Sequence, residues 1–348
     1  MTQLPLLGLM LGDYTGIGPE QCARVLADKR LADAARLLVV GDARVLAQGA
    51  RDAGVTLEWR SYASPDAVDW SREEVALIDL GNLDPSIGFP RGVVVPESGR
   101  IAGETLAAMI ELALAGRIDG IVFAPLNKAA LHAGGWKYND EHQMFAKLTR
   151  HEGFFGEMNV LDNKWMSRVT SHESLRTALD RITPQRIDDA LTLADATMRG
   201  AGIARPRIAV AALNPHGGEN GLFGREEIDI IAPAVAKAAA RGIACKGPFP
   251  ADTVFIKGFS DEYDGVLTMY HDQGQIATKL KGFNRGVTVS GGMPTVFTTP
   301  AHGTAFDIVG KGVATTGALE AAVRLGARLA ASRKGGAPRA QATAAALR

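Results

Sequence analysis

Residues 4–20 of the chain, LPLLGLMLGDYTGIGPE, contain the signals that decide its fold class. An apolar run over residues 4–11 ends at a glycine-rich turn, and the turn leads into a helical pattern that opens with Pro19. Proline suits the first turn of a helix because its missing N–H would have no partner there. A buried strand, a tight turn and a helix in this order predict the first unit of an α/β fold.

The same alternation continues along the chain. Short apolar runs predict strands over residues 37–40, 76–80, 120–124, 207–213 and 265–269, and helical periodicity predicts helices over residues 20–27 and 103–115. Repeated βαβ units predict a largely parallel sheet that binds ligands at the carboxyl ends of its strands. Residues 127–149 lose the alternation, which predicts a domain change or a long functional loop there.

The amino-acid composition restricts the classes to which the protein can belong. The chain has 348 residues, 46% of them hydrophobic and 22% charged, which predicts a packed globular protein of two domains or one large one. Lys and Arg total 38 and so do Asp and Glu, which leaves no excess positive charge for nucleic acid.

The two cysteines, Cys22 and Cys245, are far apart in sequence and indicate no disulfide framework. No apolar run approaches the roughly 18 residues that span a bilayer. We therefore expect a soluble, cytoplasmic protein that binds neither nucleic acid nor membrane.

The turn after the first predicted strand is a candidate ligand site. Gly12, Asp13 and Gly16 lie there, and small residues let a ligand approach the backbone. The turn lacks the third glycine of the G-x-G-x-x-G pattern, and no Gly-Lys-Ser/Thr follows it. A plain tight connection is therefore the simpler interpretation.

Three of the seven histidines follow strand-like runs, namely His172, His216 and His271. Three imidazoles from three loops at one edge of a sheet would form an open site for a catalytic divalent metal ion, whose identity the sequence does not specify. Asp252 and Asp272 lie near this cluster in the sequence and would orient ligands or move protons. The alternative is that each histidine is simply half-buried and hydrogen-bonded.

Two further stretches carry weaker signals. Residues 301–312, AHGTAFDIVGKG, form a glycine-bounded loop before a helical pattern, and an ordinary connecting loop is the simplest interpretation. Lys279, Lys281 and Arg285 form a basic cluster after His271. The cluster is either a solvated surface or a clamp for an anion.

Taken in order, these motifs resemble the 4-hydroxythreonine-4-phosphate dehydrogenase family, a branch of the isocitrate/isopropylmalate dehydrogenase-like fold. The matching stretches are GDYTGIGPE (12–20), APLNKAALH (124–132), VTSHESLR (169–176), LNPHGGENGLFGREEID (213–229), PADTVF (250–255), MYHDQGQIATKLKGFNRGV (269–287) and AHGTAFDIVGKGVA (301–314). The resemblance implies two α/β/α domains with a cleft between them. The expected boundaries are 1–128 with 297–335 for the cofactor side, 129–296 for the metal, substrate and dimerisation side, and 336–348 for a tail.

The resemblance also implies roles for individual residues. The implied metal ligands are His172, His216 and His271, for zinc, cobalt, nickel, iron, manganese or magnesium; the implied catalytic residues are Lys279, Asp252 and Asp272; the implied substrate contacts are His142, Gln143, Lys279, Thr288 and Phe297. The implied contacts to NAD, which we expect in preference to NADP, are His302, Gly303, Ala305, Asp307 and Gly310, with Gly12, Asp13 and Gly16 as further candidates. The family resemblance further implies a homodimer whose active site lies near the partner.

The implied chemistry is oxidation of a metal-bound hydroxyl by NAD⁺, followed by loss of carbon dioxide. Family members that use phosphorylated substrates have Thr, Asn and Arg where this chain has Gln143, Thr288 and Phe297. Losing one charge-assisted contact to phosphate costs roughly 1.5–3 kcal/mol. This departure predicts an unphosphorylated cis-dihydrodiol carboxylate of the terephthalate type as the substrate.

Several alternatives remain open. The first is 4-hydroxythreonine-4-phosphate dehydrogenase activity in pyridoxal phosphate biosynthesis, or action on a related four-carbon acid-sugar phosphate. Lys128 fits that alternative because phosphate-using members also carry it. A metal-dependent hydrolase and a non-catalytic binding protein are the alternatives from other classes.

Overall fold

The computed structural model describes residues 4–72, 74–84, 86–282 and 285–335, so the expected tail at 336–348 lies outside the described residues. The described chain forms one mixed sheet of twelve strands, against which the helices pack. The strands are β1 (Leu6–Met10), β2 (Arg36–Gly41), β3 (Trp59–Ser61), β4 (Val75–Asp79), β5 (Gly120–Phe123), β6 (Gly156–Leu161), β7 (Lys164–Arg168), β8 (Ile208–Ala211), β9 (Cys245–Phe249), β10 (Gly265–Thr268), β11 (Val287–Gly291) and β12 (Val296–Pro300).

The helices are α1 (Gly18–Asp28), α2 (Ala43–Ala53), α3 (Pro96–Leu114), α4 (Lys128–Ala133), α5 (Glu141–Leu148), α6 (Leu175–Arg181), α7 (Pro184–Gly200), α8 (Ala232–Ala240), α9 (Val254–Gly258), α10 (His271–Gly282) and α11 (Gly317–Gly335). Short 3₁₀ segments cover Pro65–Ala67, Pro215–Gly221 and Phe306–Ile308, and a π-helical turn over Glu227–Ile231 precedes α8. Within the described residues, no helix is both long and apolar enough to cross a membrane.

The α/β fold class predicted from the sequence is confirmed. All six predicted strands are present within two residues of the predicted bounds, and all five residues of β1 are buried. Helix α3 begins at Pro96, seven residues before the predicted start, because Ser98 and Gly99 interrupt its apolar period. A Cβ atom at Gly99 would lie 1.7 Å from the Ala130 carbonyl oxygen, so glycine lets α4 approach α3 closely.

Residues 127–149, expected to form a domain change or a long loop, contain two helices. Asn127 caps α4, its side chain accepting a hydrogen bond from the Ala130 N–H at 2.9 Å. Asp140 caps α5 in the same way, accepting from the Gln143 N–H at 2.8 Å. Both helices are shorter than the window over which periodicity is readable, so only these N-cap residues signal them.

The sheet is less uniformly parallel than predicted. Its strand order is β3-β4-β2-β1-β5-β12-β11-β6-β7-β10-β8-β9. The first six strands are mutually parallel, as are the last four, whereas the pairs β12–β11, β11–β6 and β6–β7 are antiparallel. The two parallel blocks therefore run in opposite directions on either side of a central antiparallel segment. The sheet itself is continuous, and the proposed division into two domains stays a prediction.

Asp42 ties the end of β2 to the start of α2. Its buried carboxylate accepts hydrogen bonds from the backbone N–H groups of Arg44 and Leu83, both at 2.9 Å, and from the Arg44 guanidinium. Burial alone would raise the pKa of Asp42, but these hydrogen bonds outweigh it and hold the pKa below its ordinary value of 3.8.

We expect Asp42→Asn to lower the free energy of unfolding at pH 7 by about 1.5–3 kcal/mol, because hydrogen bonds to a charged acceptor are lost. A lowered folded-state pKa means that the carboxylate stabilises the fold fully above pH 3.8 and loses this effect as the pH falls through the lower value. Urea unfolding of both proteins between pH 7 and pH 3 measures the difference.

Asp33→Asn is the matched control, because Asp33 pairs with Arg324 at 3.2 Å with 71% of its side chain exposed. Exposed pairs contribute little to stability, so this variant should remain close to the parent protein. A difference for Asp42→Asn that is small, or that grows as the pH falls, would contradict the role assigned to Asp42.

Candidate active site

A cleft of about 240 Å³ lies over the central antiparallel strands. Its floor includes Thr299, Thr288 and Asn159, which are cross-strand neighbours on β12, β11 and β6. The remaining lining residues that bear polar or charged groups are Lys128, Glu141, Glu157, His172, His271, Gln275, Thr278, Lys279 and His302. The cleft is thus a polar site with both positive and negative side chains.

Two of the predicted metal ligands lie next to each other in this cleft. The ring centroids of His172 and His271 are 5.3 Å apart. Nδ1 of His172 is 2.8 Å from Asp140 Oδ2, and Nδ1 of His271 is 2.7 Å from Asp272 Oδ1. A carboxylate that holds one ring nitrogen fixes the orientation of the imidazole and leaves Nε2 to bind a ligand.

The environment of His271 favours the neutral form of its imidazole. Burial lowers the pKa of His271, and the positive charge of Arg168 lowers it further, which outweighs the opposite effect of Asp272. Only a neutral imidazole binds a metal ion, so this direction of shift favours ligation.

Glu157 is a site residue that the sequence analysis missed. Its side chain is 11% exposed, and its carboxylate lies 3.2 Å from Arg168, 3.5 Å from His142 Nε2 and 3.6 Å from His172 Nε2. Burial alone would raise the pKa of Glu157, but Arg168 and the histidines hold it well below the ordinary value. Glu157 therefore places a permanent negative charge beside His172. The polar positions 157 and 159 alternate with the buried residues Met158 and Val160 along β6. This period-two pattern could have indicated from the sequence that Glu157 and Asn159 share one face of the strand.

His216 does not join the other two histidines in this chain. Within the described residues, no group of three or more His, Cys, Asp or Glu side chains is arranged to hold a metal ion. Strands β7, β10 and β8 are parallel neighbours, so their carboxyl ends do share one sheet edge, as predicted. All five residues from His216 to Asn220 have positive φ, however, so the segment after β8 follows a left-handed path that the sequence pattern did not signal. The His216 ring instead lies 6.2 Å from that of Phe223, which is 48% exposed.

The predicted contact between Phe297 and the substrate is corrected by the structure. The Phe297 side chain is completely buried and stacks on Phe145, with ring centroids 4.1 Å apart and an interplanar angle of 4°. A ring without exposed surface cannot pack against a molecule in the cleft. Phe297 therefore supports α5 from below, and its apolar character carries no information about the charge of the substrate.

The other predicted substrate and catalytic residues lie in three places: in the cleft, beneath its wall, and on the surface outside it. Lys279 and Thr288 line the cleft, whereas His142 lies beneath its wall with Nδ1 2.7 Å from Ser290 Oγ. Burial alone would lower the pKa of His142, but hydrogen bonding to Glu157 raises it. Gln143 and Asp252 are exposed and do not line the cleft.

Two of the predicted cofactor residues line the cleft. His302 and Gly303 line it, and His302 Nε2 is 3.3 Å from the Gln21 amide nitrogen. A Cβ atom would lie 2.7 Å from the Pro125 carbonyl oxygen at Gly12 and 2.8 Å from Thr304 Cβ at Gly16, so both glycines permit close packing.

The remaining predicted cofactor residues hold the surrounding loops in place. Asp13 accepts hydrogen bonds from the Thr15 N–H and hydroxyl. Ala305 has φ 45° and Gly310 has φ 73°, on either side of the 3₁₀ turn that carries Asp307. Contacts between any of these residues and a cofactor stay a prediction.

A family model described as "Pyridoxal phosphate biosynthetic protein PdxA" matches residues 33–326. A Pseudomonas aeruginosa relative described as "Putative 4-hydroxythreonine-4-phosphate dehydrogenase 2" is 47% identical over 94% of this chain and 97% of its own length. A D-threonate 4-phosphate dehydrogenase from Cupriavidus necator is 40% identical over 95% of this chain and 98% of its own. The crystal structure of 4-hydroxythreonine-4-phosphate dehydrogenase from Klebsiella pneumoniae is 38% identical, with a TM-score of 0.80, over 94% of this chain and 99% of that one.

These relatives overturn the predicted dihydrodiol substrate. The terephthalate 1,2-cis-dihydrodiol dehydrogenase from Burkholderia xenovorans is more distant, at 28% identity and a TM-score of 0.66 over 94% of this chain and 98% of that one. The prediction rested on Phe297, Gln143 and Thr288. Of these three residues Phe297 lies in the core and Gln143 is exposed outside the cleft, so only Thr288 lines it. An unphosphorylated substrate and its decarboxylation were therefore the wrong expectation.

A β-decarboxylating dehydrogenase from Thermococcus kodakarensis matches with a TM-score of 0.50 at 14% identity, over 92% of this chain and 82% of that one. Identity this low shows the fold alone. It confirms the predicted fold class, and it does not support a decarboxylation step in this chain.

We expect Phe297→Met to lower the free energy of unfolding by about 0.5–1.5 kcal/mol, the contribution of an aromatic stack beyond area burial. Methionine has a similar volume, so the core should remain filled. Because Phe297 does not reach the cleft, KM for the substrate should not change. Urea unfolding and steady-state kinetics measure the two effects, and a large increase in KM at unchanged stability would place Phe297 at the substrate after all.

Proposed function

The chain belongs to the family of the pyridoxal phosphate biosynthetic protein PdxA, and we propose that it is a metal-dependent NAD dehydrogenase acting on a four-carbon hydroxy acid 4-phosphate. The substrate class comprises 4-hydroxythreonine 4-phosphate and D-threonate 4-phosphate, after the names of its relatives. The observation that carries the proposal is the pair His172 and His271, each held by a carboxylate, in a cleft that also contains Lys128 and Lys279.

The residues present fit a divalent metal ion. Asp140 and Asp272 hold the Nδ1 atoms of the two histidines, so both Nε2 atoms are available as ligands. When bound there, the metal supplies polarisation of the substrate hydroxyl and lowers its pKa. The negative charge of Glu157 beside His172 favours a cation at this point.

We propose that His216 of a second copy of the chain completes the set of ligands. The His216 loop lies beside exposed Phe223 and Leu222, the latter 73% exposed. Helices α9 and α10 expose further apolar residues, including Leu280 at 85%. Exposed apolar surface of this extent is typical of a protein–protein interface, which supports a homodimer with its active site near the partner.

The side of the cleft with His302 and Gly303 is the proposed site of NAD, which accepts the hydride. The loop that follows passes two arginines, and both have partners: Arg24 donates to the Gly312 carbonyl, and Arg91 pairs with Asp52. Recognition of the additional phosphate of NADP requires an available cation. The pairing of Arg24 and Arg91 therefore favours NAD.

We expect purified, metal-loaded protein to form NADH from 4-hydroxythreonine 4-phosphate or D-threonate 4-phosphate, with kcat of about 1 s⁻¹ or more. The absorbance of NADH at saturating NAD⁺ measures the rate, and NADP⁺ should give a lower kcat/KM. Terephthalate dihydrodiol serves as the comparison substrate. Absence of turnover with both phosphates would overturn the proposed function.

We expect elemental analysis to find about one divalent metal ion per chain, as in three-ligand catalytic sites. The content should fall to near zero in His172→Ala and His271→Ala, because each variant removes a ligand. His132→Ala is the matched control, since His132 is exposed on α4 and does not line the cleft. Unchanged metal content in the first two variants would rule out the site.

A mixture of variants tests the contribution of the second copy. His172→Ala and His216→Ala should each be inactive alone. If ligands come from both copies, a reassorted mixture recovers about a quarter of the active sites, because half of the dimers are mixed and each mixed dimer has one intact site. No recovery in a mixture shown to contain mixed dimers would place all ligands within one chain.

A further inference from the structure

We propose that Lys128 binds the phosphate group of the substrate in this cleft. This inference rests on the proposed function. Because position 297 holds a buried phenylalanine, another residue must supply the positive charge that binds the phosphate. Phosphate carries a charge of about −1.5 to −2 at neutral pH, so its recognition requires more than one positive or hydrogen-bonding group. Lys279 also lines the cleft, and Lys128 is the second lysine there.

The position of Lys128 follows from the fold. Strand β5 ends at Phe123, the chain continues along the cleft through Pro125 and Leu126, and Lys128 is the first residue of α4. Its side chain is 55% exposed, so the ammonium group is accessible to a ligand. Lysine is a common phosphate-binding residue because it presents a compact charge on a flexible stem.

Glu141 holds Lys128 over the cleft. Glu141 Oε2 lies 3.4 Å from Lys128 Nζ, and this oxygen is buried without a hydrogen-bond partner. An ammonium group has three N–H donors, so Lys128 can contact a phosphate oxygen while it remains next to Glu141. Glu141 lines the cleft as well, so the pair lies in the same cleft as the predicted substrate residues Lys279 and Thr288.

Two neighbouring arginines, Arg285 and Arg168, do not line the cleft. Arg285, which is close to Lys279 in sequence, pairs with Asp162 at 3.1 Å and does not line the cleft. Arg168 pairs with Glu157 and also donates to Asn159. Neither arginine is placed to take over the role of an arginine at position 297, which favours Lys128.

The test compares Lys128→Gln, Lys128→Arg and the control Lys137→Gln in the full-length metal-loaded protein. Lys137 is exposed outside the cleft, so its variant makes the same change in net charge. We expect Lys128→Gln to raise KM for D-threonate 4-phosphate and for 4-hydroxythreonine 4-phosphate about ten- to a hundred-fold, the effect of one charge-assisted contact. Lys128→Arg should retain most of the affinity, and KM for NAD⁺ should not change in any variant.

Binding of inorganic phosphate gives a readout that does not depend on turnover. Isothermal titration calorimetry should show weaker phosphate binding in Lys128→Gln, by about ten-fold or more, and unchanged binding in Lys137→Gln. This measurement separates the two proposals, since phosphate binding that depends on Lys128 would persist even if neither phosphorylated acid were oxidised. Two results overturn the inference: unchanged phosphate binding in Lys128→Gln, or an increased KM for NAD⁺ without an increase for the acid, which would assign Lys128 to the cofactor.

Discussion

A buried carboxylate, that of Glu157, organises the candidate site. An ionised group in a protein interior must be paired, and leaving it without a partner costs several kcal/mol. Glu157 on β6 meets this requirement with Arg168 on β7, His142 on α5 and His172 on the loop after β7. The same charge therefore joins two strands, a helix and a proposed metal ligand. Because the geometry of His172 depends on this pairing and on Asp140, the site is preorganised before any ligand binds.

The central antiparallel strands explain why the cleft lies where it does. In a uniformly parallel sheet, ligands bind at the carboxyl edge. Here β11 and β6 separate two parallel blocks of opposite direction, and the cleft opens over the face of this segment. Thr299, Thr288 and Asn159 form a polar row across three strands, with Asn159 donating to the Thr288 hydroxyl at 3.0 Å. This row forms the floor of the cleft, which His172, His271 and His302 also line.

The prediction of an unphosphorylated substrate was wrong for a physical reason. A motif comparison treats position 297 as a site position because another member of the family carries an arginine there. In this chain the residue is an aromatic ring stacked on Phe145 in the core. Apolar side chains are stable in the core and charged ones are not, so an aromatic ring at position 297 packs in the interior of this chain. The cations that line the cleft are Lys128 and Lys279, and we assign the binding of the anion to them.

The sequence by itself determined the α/β class, the predicted strands and the family, because periodicity and local motifs are encoded in neighbouring residues. It also named His172, His271, Lys279 and Thr288, which the fold brings together in one cleft. The tertiary structure decided what depends on residues distant in sequence. Glu157 joins the site by pairing with Arg168 on the neighbouring strand, and Lys128 by pairing with Glu141 on α5. Phe297 packs in the core instead, and the His216 ring lies beside Phe223. Side-chain burial and the pairing of charges arise only when the chain folds, so no local pattern could specify them.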